Sequence, residues 1–328
     1  MDVLDRRLCV APMLDWTDRH CRYFHRLLAP HALLYTEMLV AKAVLHGDRA
    51  RLLRFDPAER PVALQLGGSD PGELAEAAAI GAAAGYAEIN LNCGCPSERV
   101  RSGAFGACLM AEPDLVASCV RRMRDAVRVP VTVKCRIGID DRQDYEFFAR
   151  FAAAQADAGV DALILHARAA ILKGLSPKQN REIPPLRYEY AYRLKSERPS
   201  LELVLNGGIG GLEAARGHFA AGVDGVMLGR AAYQRPALLA AFEREFIDPD
   251  WSLPSAEALL EAIVAYARRE LERGTRLHAI TRHLQGLIAG SDGARAWRRF
   301  LGEIATRPDA RPELLAAALP LVRGRLAA

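Results

Sequence analysis

No run of the sequence is apolar for long enough to cross a membrane, and no signal peptide opens it: Met1-Asp2-Val3-Leu4-Asp5-Arg6-Arg7 leads straight into a strand pattern. Cysteine is scarce and odd in number, seven in 328 residues. With no export signal, that argues for free thiols in a cytoplasmic protein rather than a disulfide framework. Metal-ligand spacing is missing as well. Cys93-Gly-Cys95 is too tight for a zinc knuckle and has no second Cys/His pair at ligand distance, so no metal is expected. Ala11-Pro-Met-Leu-Asp15 lacks the Gly-rich turn that follows the first strand of a dinucleotide-binding open sheet. Internal repeats are absent, and so is low complexity beyond Ala-rich helices. From Trp251 to Ala328 there is no Lys at all, but twelve Arg stand against eight acidic residues.

That last imbalance equals the net charge of the whole chain, +4, so the remainder is neutral. An Arg-rich tail suits a polyanionic partner, and it equally suits a solvated helical face. Otherwise the composition is that of an ordinary globular protein, 51% apolar and 26% charged. The length exceeds what one hydrophobic core commonly serves, which favours a large domain plus a smaller one.

Short apolar runs alternate with helical patterns through the first three quarters. The runs predict strands over Leu8–Leu14, Leu33–Met38, Val62–Gly67, Ala87–Leu91, Val131–Arg136, Ala162–Ala167, Leu201–Asn206 and Gly225–Gly229. Helices are predicted over Pro71–Ala84, Glu112–Ala126, Tyr145–Ala158, Leu212–Ala221 and Ala231–Phe242, with Pro near starts and Gly near ends. Eight strands with a crossover between each pair is the pattern of a (β/α)8 TIM barrel, here over residues 1–245. A doubly wound sheet is the alternative. From residue 246 to 328 the pattern is helical only: Ala256–Arg273, Leu277–Ala289, Ala294–Ile304 and Pro312–Leu326, a small helical bundle.

In a barrel the C-terminal strand ends converge on one face. Here those ends carry Met13 with Asp15, Glu37, Gln65, Asn92 with Cys95, Lys134 with Arg136, His166 with Arg168, Asn206 with Gly207 and Gly208, and Gly229 with Arg230. A single Gln or Asn at a strand end is usually a loop cap, but eight polar or Gly-rich ends together mark a functional face. The turns Asn206-Gly-Gly-Ile-Gly210 and Leu228-Gly-Arg230 follow the last two strands, where barrels commonly hold phosphate. Lys134 suits a Schiff base, or hydrogen bonding to an electron-poor ring. Gln65 offers an amide to a pyrimidine-like edge. Met, Gln, Lys and His followed by two phosphate turns fit flavin mononucleotide better than a sugar phosphate. Cys95, on the loop after the fourth strand, suits an acid, a base or a nucleophile. Cys93 is expected to be wall, and Cys9, Cys21, Cys119 and Cys135 packing. The long connection from Arg168 to Leu186 carries Lys173, Lys178 and Arg181, fit for phosphate contacts or for plain solvent exposure.

Ala11-Pro-Met-Leu-Asp15, Gln65-Leu-Gly67, Asn90-Leu-Asn-Cys-Gly-Cys-Pro-Ser97, Lys134-Cys-Arg-Ile-Gly138, His166-Ala-Arg168, Asn206-Gly-Gly-Ile209 and Leu228-Gly-Arg230 together resemble the tRNA-dihydrouridine synthase family, from about Leu8 to the last helix. Gly103-Ala-Phe-Gly-Ala-Cys108, Lys173 to Lys178 with Asn180 to Pro185, and Thr281-Arg-His-Leu284 are similar to its branch acting on D-loop positions 20 and 20a. Cys93 departs from the family pattern, which has an apolar residue there. The resemblance implies a monomeric, cytoplasmic FMN enzyme, recharged by NADPH, that reduces the C5=C6 bond of uridine in tRNA. By it, hydride passes from the flavin to C6 and Cys95 protonates C5. Pro12, Met13, Leu14 and Gln65 would meet the ring edge, and Lys134 and His166 the ring and phosphate region. Asn206, Gly207, Gly208, Gly229 and Arg230 would hold the phosphate. Asn92 and Arg181 would lie near the target base, Lys178 would contact the tRNA, and Arg295, Arg298 and Arg299 would grip its backbone. A flavin reductase for a free pyrimidine, a Lys134 lyase and a non-catalytic RNA-binding module are the rival readings.

Overall fold

The computed structural model describes residues 4–98, 103–307 and 310–326. Its sheet runs β1 (Leu8–Val10), β2 (Leu33–Tyr35), β3 (Leu39–Val40), β4 (Val62–Gly67), β5 (Glu88–Cys93), β6 (Val131–Arg136), β7 (Ala162–His166), β8 (Glu202–Asn206) and β9 (Gly225–Leu228). All pairings between these strands are parallel. The order β2-β1-β9-β8-β7-β6-β5-β4 is closed by β2 against β4, so the sheet is a TIM barrel and the open-sheet alternative falls. The short β3 is an added strip along the end of β4. The first strand is shorter than its sequence pattern because Pro12 has no N–H for the ladder and the chain turns at once into a loop; the second ends at Tyr35.

Register explains the layering. Residues paired across a parallel ladder point to the same side, and the side alternates every residue. One parity gives Val62, Leu64 and Leu66, Ile89 and Leu91, Val131 and Val133, and Leu163 and Leu165, which pack outward against the helices as the main core. Cys93 and Cys135, paired in register, belong to this outer layer. The other parity fills the barrel. Cys9, Ala11, Leu33, Tyr35, Ala63, Ile164, Val204 and Met227 form a separate small cluster inside it.

Two predicted helices break where tertiary structure overrides periodicity. Ala231–Phe242 is split into Arg230–Gln234 and Leu238–Phe246, since Pro236 removes a donor and pushes Arg235 out of the helical region. Leu277–Ala289 is helical only to Thr281. Beyond it Gly286 is pressed against the Tyr233 and Gln234 carbonyls, where a Cβ would sit within 2.8 Å of both oxygens. Arg282 and His283 are drawn instead to Asp18. The last helix is likewise a 3-10 run, Pro312–Ala318, followed by Leu319–Val322.

The C-terminal helices dock on the first barrel helix, Arg19–Leu28. Its N-cap, Asp18, accepts from Arg282 Nη2 at 2.6 Å and lies 3.0 Å from His283 Nε2. Burial alone would raise the Asp18 pKa, but the hydrogen bond and charge of His283 win and hold it far below the usual range. Glu270 gathers Arg19, Arg54 and Arg273, while Tyr266 stacks on Tyr23 at 3.9 Å and bonds His20 at 2.7 Å. Helix Ala294–Thr306 buries Trp297, Leu301 and Ile304 on one stripe, which leaves Arg295, Arg298 and Arg299 exposed on the other. Among the described residues no helix is long and apolar enough to cross a membrane.

Candidate active site at the barrel mouth

The inward parity of β5 is Glu88, Asn90 and Asn92, and that of β6 is Thr132, Lys134 and Arg136. These six polar residues meet Gln65 of β4 to make one wall of the barrel. A continuous column of hydrogen bonds runs along it. Cys95 and Gly94 donate their backbone N–H groups to Asn92 Oδ1 at 3.0 and 3.1 Å. Asn92 Nδ2 donates to Gln65 Oε1 (2.8 Å), Gln65 Nε2 to Asn90 Oδ1 (2.7 Å), Asn90 Nδ2 to Thr132 Oγ1 (2.8 Å) and Thr132 Oγ1 to Glu88 Oε1 (2.6 Å). Both ends are one-way groups: a backbone N–H only donates and a carboxylate only accepts. All three amides are therefore fixed in orientation, and Gln65 keeps one N–H and one lone pair for a ligand. The column stands on a buried floor, where Glu88 pairs with Arg6 at 2.7 Å and takes the Tyr35 hydroxyl at 2.6 Å.

Above the column the mouth is cationic. Lys134 Nζ donates to Asn206 Oδ1 at 3.1 Å, and the Asn206 amide donates onward to the Met227 carbonyl at 2.7 Å. Burial, with the Arg136 charge adding, lowers the Lys134 pKa to about 8. Burial, reinforced by Arg136 and Lys134, also pushes His166 well below its ordinary value, so its imidazole is neutral. Gly207 (φ +114°) and Gly208 (φ +70°) turn the chain beside it. A Cβ would meet His166 at 2.7 Å on the first and the Tyr188 hydroxyl at 2.7 Å on the second, so only glycine fits. Arg230 donates to Glu182 Oε1 at 2.6 Å and to the Arg181 carbonyl at 3.2 Å. Cys95 lies within electrostatic reach of Lys134, Arg136 and Arg181.

The first strand's loop closes the other side. Thr17 accepts the Met13 N–H at 2.8 Å, and Glu37 accepts that of Asp15 at 2.5 Å, which holds Asp15 at φ +65°. Burial, with Asp18 and Asp15 nearby, raises the Glu37 pKa. Pro12 and Met13 are half-buried there, and Leu14 is 75% exposed at the tip. The long connection is knotted rather than loose: Asn180, fully buried, receives the Ile171 N–H at 2.7 Å and donates to the Ile171 carbonyl at 2.9 Å. Lys178 and Arg181 are exposed on either side of it.

The structure thus brings Met13, Gln65, Asn92, Cys95, Lys134, His166, Asn206 to Gly208 and Gly229 to one mouth, with Arg230 and Arg181 on its rim. Arg295, Arg298 and Arg299 lie on a separate helix. The Asn92 and Asn206 side chains organise their neighbours, Cys95 and Lys134. Residues 99–102 of the Cys95 loop lie outside the described residues. Sequence reading left the jobs of Glu37, Asp18 and Arg136 unassigned. Glu37 and Arg136 were marked only as strand-end residues; for Arg136 there was also parity, since Glu88, Asn90 and Asn92 share one side of a strand with Thr132, Lys134 and Arg136 opposite.

A parallel barrel with a thiol, an oriented amide wall and a cationic rim gathered at its C-terminal face has the layout of a TIM-barrel enzyme site. Comparison with known proteins narrows this. The family model described as "Dihydrouridine synthase (Dus)" matches residues 9–322, and the chain belongs to that family. It is 58% identical over 317 residues to the tRNA-dihydrouridine(20/20a) synthase of Xanthomonas axonopodis pv. citri, covering 95% of this chain and 93% of that one. Proteins of the same name from Synechocystis (54%; 95% and 93% covered) and Yersinia pestis (52%; 97% and 92%) are similar over the same extent.

Proposed function

We propose that the protein reduces the C5=C6 bond of uridine at D-loop positions 20 and 20a of tRNA, with FMN as its resident cofactor and NADPH as reductant. The observation that carries this reading is Cys95, tethered by its backbone to Asn92 at the top of the polar wall and flanked by Lys134, Arg136 and Arg181.

The donor set fits the flavin. Lys134, Arg168, Arg181 and Arg230 stand at the mouth and, among the described residues, Glu182 is ion-paired with Arg230 alone, a surplus of positive charge suited to a phosphate monoester. Gly207, Gly208, Gly229 and Arg230, with the backbone of Asn206, would hold the phosphate. Gln65, with one N–H and one lone pair outside the column, would meet the ring edge together with Pro12, Met13 and Leu14. Lys134 and the neutral His166 would serve the ring and phosphate region. When bound, reduced flavin supplies the hydride that C6 of the uracil receives.

Cys95 completes the reduction. The hydride brings the electron pair of the new C6–H bond; the π pair of C5=C6 then forms the C5–H bond with the proton released as Sγ–H breaks, and the sulfur is left as thiolate. Water returns its proton. A positioned thiol can act as the general acid of such a step, because sulfur holds the negative charge it is left with. The Lys134 charge stabilises the thiolate left behind. The target base must leave the tRNA stack to reach this depth. Asn92, Arg181 and Lys178 line its approach, and Arg295, Arg298 and Arg299 grip the backbone as phosphate contacts. Residues 1–245 are then the catalytic domain and 246–328 the tRNA-binding one, in a cytoplasmic monomer.

Cys95→Ala tests the reading. It should keep its visible flavin bands and their bleaching by NADPH, and lose turnover on unmodified tRNA by ~10²–10⁴-fold. Wild-type turnover in the variant removes Cys95 from the acid role. Wild-type flavin that tRNA never reoxidises sinks the tRNA reading itself.

A further inference from the structure

Arg136 ends β6 at the centre of the mouth, yet it holds no ligand-binding position in the function just proposed. The residue is 4% exposed. Among the described residues no carboxylate pairs with it. Three backbone carbonyls hold it instead: Nε donates to Gly94 at 3.1 Å, and Nη1 donates to Ala169 at 3.2 Å and to Asn180 at 2.9 Å.

Those carbonyls come from different parts of the chain. Gly94 immediately precedes Cys95. Ala169 begins the long connection after β7, and Asn180 is the buried knot of that connection, immediately before Arg181. A cation buried among dipoles, with Arg181 and Arg168 as neighbours, is costly to keep. Burial and those two charges lower its pKa to about 10, so it is still charged at neutral pH. An apolar side chain of similar volume would fill the space without that cost. What an apolar side chain cannot do is donate along two fixed edges of one plane, and an ammonium cannot do it either.

We propose that Arg136 is a positioning residue that ties the Cys95 loop to the Arg181 loop, so that the proton donor and the base-approaching arginine meet the uracil in one fixed register. This rests on the uridine-reduction reading. It predicts that Arg136 matters to the half-reaction that involves uracil and not to the one that loads the flavin. The displacement involved is small, but an error of about 1 Å in the placement of reacting groups costs ~10²-fold in rate.

The experiment uses full-length, flavin-loaded Arg136→Met and Arg136→Lys. Stopped-flow absorbance follows bleaching by NADPH and then the return of the bands with unmodified tRNA. Bleaching should stay within about twofold of wild type, while the return slows ~10²-fold in Met and ~10-fold in Lys, whose single ammonium replaces only part of the fork. A second readout is the alkylation rate of Cys95 by iodoacetamide without tRNA, read by peptide mapping against Cys95→Ala. It should change several-fold in Arg136→Met. A return rate equal to wild type, equal losses in both half-reactions, or unchanged alkylation would each overturn the proposal. If tRNA fails to reoxidise the wild-type protein, the failure belongs to the functional reading and not to Arg136.

Discussion

On one side the barrel interior is Cys9, Ala11, Leu33, Ile164, Val204 and Met227; on the other it is Gln65, Glu88, Asn90, Asn92, Thr132, Lys134 and Arg136. Both walls are buried, apart from the half-buried Lys134, and both sit on parallel strands, where burial on two faces normally makes the sequence apolar throughout. The apolar wall obeys that rule. The polar wall violates it at every second residue, at a cost that good hydrogen bonding only partly offsets. Such a departure marks where function and stability pull apart. The apolar wall holds the barrel shut, and the polar wall hands orientation from the Arg6–Glu88 floor up to Cys95.

The comparison breaks most sharply at that floor. Glu88 and Arg6 are 0% and 4% exposed, and Glu88 also terminates the column. Glu88→Gln keeps the shape but strips the buried carboxylate from Arg6, leaving only the half-exposed Glu202 at 2.8 Å. A loss of about 3–5 kcal/mol in unfolding free energy is expected, read from urea melts with an unchanged slope. A loss below about 1 kcal/mol would mean the polar wall does not depend on its floor.

The same contrast shows what was legible beforehand. Barrel topology was, because the outer parity of the strands is mostly Val, Leu or Ile and the helices between them are punctuated by Pro and Gly. The rim was legible as a set of strand-end residues, and the family resemblance ordered it. The internal column was not. Its members are separated by up to 67 residues, between Gln65 and Thr132, and nothing in a linear reading tells which amide faces which. Arg136 was visible but mute for the same reason, since its three partners are main-chain carbonyls that carry no residue signature. The turns after Thr281 and the break at Pro236 came from packing that periodicity does not record.

Charge sharpens the comparison next. Lys134 is the polar wall's ammonium, and burial, then Arg136, depresses its pKa to about 8. A lowered pKa means that the free protein sheds this proton as pH rises through about 8, whereas an anionic ligand favours the charged form. Flavin affinity should therefore be flat from about pH 7, where the phosphate's second proton is already lost, and weaken above pH 8 by up to ~10-fold per unit. Fluorescence titration of flavin into stripped protein gives the slope, and Lys134→Met should abolish it. A wild-type affinity that stays flat to pH 9.5 would take Lys134 out of flavin binding.

The smallest effect tests the apolar wall. Ile164 lies within it, fully buried, on β7 two residues before His166 and in register with Val204 and Lys134. Ile164→Val removes one methylene and leaves every hydrogen bond of the column and rim in place. It should cost about 0.5–1.5 kcal/mol of stability, the usual range for that deletion in a packed core. Flavin affinity and turnover on tRNA should be unchanged, because nothing at the mouth takes its orientation from this side chain. A variant that loses activity out of proportion to stability would show that the apolar wall also positions the site, and the division of labour between the two walls would have to be abandoned.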